Sequence, residues 1–83
     1  MISQGVIDGT YMGECITKAM KARGVKQVEL ARCIGHKPQA VNHILKGRAR
    51  PSLDTLFLIC EVLNISADWV MGLAGQPEWM DRM

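Results

Sequence analysis

At 83 residues the chain has room for one modest core and none for a second. Its 48% hydrophobic and 22% charged content is that of a globular protein and excludes a disordered one. No apolar run exceeds the five residues from Leu56 to Cys60, so no segment reads as a bilayer span. The net charge of +2 conceals a division: residues 18–50 carry nine basic side chains against Glu29 alone, a balance of +8, while the remainder carries Arg82 against seven carboxylates, or −6. Such a separation predicts one positive face, the electrostatic footprint of a phosphate-binding surface.

In chain order, residues 1–11 hold two glycines, no periodicity and no lysine or arginine, and read as a flexible lead-in without a secretory signal. Met12, Ile16 and Met20 then recur every four residues with Cys15 and Ala19 alongside, predicting a helix over 12–23 that Gly24 stops. A second helix is expected over 27–34. A third is expected over 38–46, with Pro38 in its first turn, where a missing N–H is no loss, and Gly47 at its end. Ser52 caps a fourth over 53–63, with Leu53, Leu56, Ile59, Cys60 and Leu63 on its inner side and Asn64 closing it. Ser66 caps a fifth over 66–73, burying Trp69, Val70 and Leu73, and Gly75 and Pro77 end the regular structure. The expected fold is therefore all-α, a compact five-helix bundle over 12–75 with a tail over 76–83.

Within that bundle, Gln27, Ala31, Gly35, Val41 and Ile44 have the spacing of two short helices crossing at roughly 90–120° over a tight turn. Ala31 falls where the first helix comes closest to the second, and Gly35 falls at the turn, where a positive φ costs other residues but not glycine. Leu30, Ile34, Val41 and Ile44 supply the apolar faces. This is a helix-turn-helix pattern.

The segments Gln27-Val28-Glu29-Leu30-Ala31, Gly35, Gly47 with Pro51-Ser52-Leu53, and Asn64 to Val70 resemble the lambda-repressor-like helix-turn-helix family over about residues 12–73. That family holds the Cro and CI repressors of temperate phages and many small XRE-like bacterial regulators. The resemblance implies a sequence-specific regulator of transcription that occupies a near-palindromic operator as a homodimer, with the helix over 38–46 in the major groove of double-stranded DNA. Gln27 would grip a backbone phosphate, and Lys37, Gln39, Asn42 and His43 would face base edges. Lys46, Arg48 and Arg50 would meet phosphates. Where the family has a serine or threonine cap and then a polar residue, this chain has Lys37 and Pro38, so its capping hydrogen bond is lost at a cost of about 1 kcal/mol.

Leu45 and Leu58 stand where the family is polar, which predicts an enlarged core or an exposed apolar patch; Leu58 and the tail around Trp79 are the expected dimer contacts. The same features fit a second reading, an antitoxin-type or other protein-interaction module of this fold. An enzyme is not expected, because the chain has no glycine-rich phosphate loop, no nucleophile with a base in plausible arrangement and no useful carboxylate pair. No cofactor is implied. Cys33, His36 and His43 would offer a metal three ligands in an unfamiliar spacing, and the three cysteines read as buried or half-buried free thiols. A cytoplasmic, bacterial or phage-encoded protein is expected.

Overall fold

The computed structural model describes residues 9–73. Over them run α1 (Gly9–Arg23), α2 (Gln27–Ile34), α3 (Pro38–Leu45), α4 (Leu53–Leu63) and α5 (Ala67–Val70). The first and last residues of the chain, Trp79 among them, lie outside the described residues.

Helical spacing of apolar residues builds the core. Met12, Cys15, Ile16, Ala19 and Met20 bury one face of α1; Leu30, Ala31 and Ile34 that of α2; Val41 and Ile44 that of α3. Leu56, Ile59 and Leu63 from α4 and Trp69 and Val70 from α5 close it. The largest fully buried side chains, Ile16, Leu30, Val41, Ile59, Leu63 and Val70, come from all five helices, so no helix can be removed without opening the centre.

Each helix ends where the sequence supplies a stop. Gly35 adopts φ +71° after α2, and the following N–H of His36 returns to the Ala31 carbonyl at 2.9 Å, which turns the chain sharply towards α3. Ser52 Oγ accepts the Thr55 N–H at 3.2 Å, and Ser66 Oγ accepts that of Asp68 at 3.1 Å. Asn64, at φ +53°, closes α4. Arg23 then reaches across from the end of α1 and donates through Nε to the Leu63 carbonyl at 2.9 Å and through Nη2 to that of Asn64 at 3.1 Å. A cation placed on the last carbonyls of α4 complements the helix dipole.

Several boundaries differ from the sequence expectation. Helix α1 begins at Gly9 and so takes in the last three residues of the segment read as lead-in, because Gly9 and Thr10 pack against Gly47 and Gly13 against Leu45 at the end of α3. A Cβ added at Gly13 would overlap the Leu45 carbonyl, and one at Gly47 would stand 2.9 Å from the Thr10 Cα. Lys46 is the C-cap of α3 and Ser66 the N-cap of α5, which ends at Val70. Leu73, expected inside, follows the positive-φ Gly72 out of the core and is 61% exposed. Leu53, also expected inside, occupies the first turn of α4 beyond the edge of the core and is 81% exposed. Cys33 lies on the outer face of α2 and is exposed, whereas Cys15 is buried and Cys60 half-buried.

Candidate nucleic-acid interface

The candidate interface centres on α3. Its Val41 and Ile44 are 1% and 5% exposed, which fixes the opposite side of the helix outward. Gln39, His43 and Lys46, at spacings of four and three, lie on that outward side and are exposed. Asn42 is half-buried on one flank, and Ala40 is exposed on the other. Lys37 is the exposed N-cap, with extended backbone and no side-chain cap, as its residue type dictates.

Gln27 stands at the start of α2, half-buried, and its Nε2 donates to the main-chain carbonyl of Pro38 at 3.0 Å. One amide hydrogen is thus spent on holding the two helix starts together; a second remains on the same nitrogen. At the other end of α3 the chain folds back, with the N–H groups of Arg48 and Ala49 both on the His43 carbonyl at 2.9 and 3.3 Å. This turn sets Lys46 and Arg48 at the C-terminal end of α3, both exposed. Arg50 is exposed as well, and its Cγ lies 3.8 Å from where a Cβ on Gly9 would stand, beside the start of α1. The expected residues therefore form a line from Lys37 through Gln39 and His43 to Lys46 and Arg48, with Gln27 and Arg50 at its edges and Asn42 partly sheltered.

One supporting residue carries no short-range signal. His36, in the turn, meets Thr55 Oγ1 through Nε2 at 3.0 Å, and Thr55 is itself buried and takes a hydrogen bond from Ser52 Oγ at 3.0 Å. The turn is thereby tied to the start of α4, nineteen residues away in sequence. Arg23, counted among the basic residues of the positive segment, is committed to capping α4 and adds little to this line.

Neither Cys15 nor Cys60 offers a reactive thiolate. Burial pushes both Cys15 and Cys60 up, which keeps them protonated. Cys15 Sγ donates to the Trp69 carbonyl at 4.0 Å, and a hydrogen bond to Cys15, with burial, pushes the Tyr11 phenol up to about 12. Among the described residues no three His, Cys, Asp or Glu side chains are grouped to hold a metal ion. No helix among them is long and apolar enough to cross a membrane.

Two short helices joined by a glycine turn, with a polar and basic outer face on the second, define a DNA-binding helix-turn-helix domain of the transcription-regulator class. The helix-turn-helix family model matches residues 16–70, and the chain belongs to that family, in its lambda-repressor-like branch. It is 37% identical over 59 residues to the HTH-type transcriptional regulator for conjugative element SXT of Vibrio cholerae, a match covering 71% of this chain and 27% of that protein. The chain thus spans about a quarter of the length of the curated relatives it matches first. Two solved structures share the fold. The restriction-modification controller protein C.AhdI of Aeromonas hydrophila superposes with a TM-score of 0.71 at 22% identity, over 78% of this chain and 98% of that one. The clp gene regulator ClgR of Corynebacterium glutamicum gives 0.74 at 21%, over 86% and 74%. The family is one of DNA-binding regulators and not a class of enzymes.

Proposed function

We propose that this chain occupies a near-palindromic operator as a homodimer in the bacterial cytoplasm and so controls transcription, as a phage- or prophage-type Cro/CI-like repressor does. The observation that carries the reading is the outward stripe of α3, where Gln39, His43 and Lys46 stand exposed opposite the buried Val41 and Ile44. On this reading α3 enters the major groove. Gln39 and Asn42 present the amide pair that suits adenine N6 and N7, Lys37 suits guanine O6 and N7, and His43 lies over the next base edges. The remaining Gln27 amide hydrogen, Lys46, Arg48 and Arg50 meet phosphates on either side and set the register.

Dimerisation is proposed through α4. Leu53, Phe57 and Leu58 are 81%, 61% and 39% exposed, and the first two border a largely apolar groove completed by Asp54, Leu56, Cys60, Ala67 and Met71. A second copy covering this face would bury it and space two α3 helices about 34 Å apart on the duplex. Of Phe57 and Leu58, Phe57 has more to gain, since Leu58 is the better sheltered.

The reading is tested by titrating the chain against a duplex selected from a random pool, at several salt concentrations. With three cations per protomer on phosphates, a dimer should show a slope of about −5 in log K against log salt. Affinity that is weak and equal for every sequence would sink the proposal. Phe57→Glu should convert the dimer to a folded monomer in sedimentation; unchanged self-association would remove α4 from the interface, and a stoichiometric foreign partner on this face would favour the antitoxin-type reading.

A further inference from the structure

The first turn of α3 exposes two side chains that can form no hydrogen bond. Pro38, at the first helical position, is exposed and has no N–H. Its ring is held in place from both sides: the pyrrolidine locks φ, and the carbonyl is bonded to Gln27 Nε2 at 3.0 Å. Ala40 is exposed too, and its N–H is spent on the Lys37 carbonyl at 3.0 Å. Between them stands Gln39, the side chain best suited to adenine.

We infer that Pro38 and Ala40 read the C5-methyl groups of thymine on the base pairs neighbouring the one taken by Gln39. The inference rests on α3 lying in the major groove, as proposed above. Pressed against a base amine or carbonyl, either side chain would strip water from that polar group and return nothing, a loss that a reader of DNA avoids. The major-groove edges of the four bases offer one apolar group, the thymine methyl. The pairs on either side of the one taken by Gln39 are two steps, about 6.8 Å, apart. The helix rise between residues 38 and 40 supplies only about 3 Å of this. Direction supplies the rest: successive residues of a helix point about 100° apart, so the two side chains diverge on opposite flanks of Gln39, each towards an adjacent pair. The consequence is a half-site in which the adenine chosen by Gln39 has a thymine beside it whose methyl, and not only its hydrogen-bonding edge, is recognised.

The test uses the full chain and its selected operator. Each thymine is replaced in turn by deoxyuridine, which removes the methyl and leaves the pairing edge intact, and Kd is measured for each duplex. At one or two thymines per half-site, adjacent to the base pair whose preference disappears in Gln39→Ala, affinity should fall by about 4-fold per methyl. In the double variant Pro38→Ser with Ala40→Ser, the thymine and uracil duplexes should bind equally. Because the comparison is a ratio within one protein, a partly destabilised variant does not blur it. Uracil duplexes that bind as tightly as thymine at every position, or a double variant that keeps the full ratio, would overturn the inference. A wild-type chain with no base preference at all would instead overturn the placement of α3 in the groove.

Discussion

The Nε2 of Gln27 lies 3.0 Å from the main-chain carbonyl of Pro38, so the first residue of α2 holds the first residue of α3. Both helix starts have a lysine at the N-cap, which cannot accept the hydrogen bond that a serine would; at α2 the Glu29 carboxylate accepts the Lys26 N–H at 2.9 Å, whereas the matching residue of α3 is Ala40, which cannot. The glutamine supplies from outside part of the order that the missing cap would have given. Gln27→Ala is therefore expected to cost under about 1 kcal/mol in urea unfolding, since water can replace an exposed hydrogen bond. Operator affinity should fall further, by about tenfold, because the recognition helix loses its fixed tilt and a phosphate its donor. Equal losses in stability and binding would assign Gln27 to the fold alone.

At Gly13, α1 approaches the end of α3 so closely that no side chain fits between them. A methyl at Gly13 would overlap the Leu45 carbonyl, and main chain cannot swing aside as a side chain can. Gly13→Ala should destabilise the domain by about 2–3 kcal/mol or shift α1. At Gly24, where a Cβ meets nothing within 4 Å but φ is +68°, Ala should cost about 1 kcal/mol from backbone strain alone. Denaturant midpoints for the two variants decide it, and a milder effect at Gly13 than at Gly24 would show that the helices can part freely.

Two cations of the same segment should behave in opposite ways. Arg23 caps α4, so Arg23→Ala should lower stability by about 1–2 kcal/mol and leave the salt slope of DNA binding unchanged. Lys46, exposed at the end of α3, is lost twice in a dimer, so its removal should reduce that slope by about 1.8 and leave stability within about 0.5 kcal/mol. A slope that responds to Arg23 would place its guanidinium on DNA instead.

The Tyr11 phenol gives an alkaline signature. An unfolded tyrosine ionises near pH 10, whereas in the folded chain its hydrogen bond to Cys15 and burial hold the proton until about 12. Between those values the unfolded state releases a proton that the folded state keeps, so rising pH favours unfolding. Below about pH 10 both states keep the proton, so the group's contribution is full and does not change with pH. Thermal midpoints should therefore decline across pH 10–12 more steeply for the wild type than for Tyr11→Phe. Parallel declines would mean that other groups govern alkaline unfolding.

Much of the scaffold was legible because its signals are local. Apolar periodicity, Gly24, Gly35, Ser52, Asn64 and Ser66 mark the helices and their ends, and each acts through neighbours within a turn. What escaped is non-local. Gly9 and Thr10 carry no hydrophobic signal, yet contact with the Gly47 turn draws them into α1. Arg23 read as one charge among nine, and its capping role depends on residues some forty positions away. Leu53 and Leu73 had the right type for the core but lie past its edge, where element length and the turn at Gly72 decide. In the candidate site the spacing marked which face of α3 is buried and which is exposed. It could not reveal that His36 ties the turn to α4, nor that Ala40 is exposed beside Gln39.

The central claim is that α3 reads bases and does not merely bind phosphate. Its most direct test is a scan of operator affinity over all single base-pair changes, for the wild type and for Gln39→Ala. The account predicts that one base pair per half-site carries a preference of about 1–3 kcal/mol that vanishes in the variant, while preferences elsewhere persist. A uniform loss of affinity across every sequence would contradict it, and would move Gln39, and with it the face of α3, to the phosphate backbone.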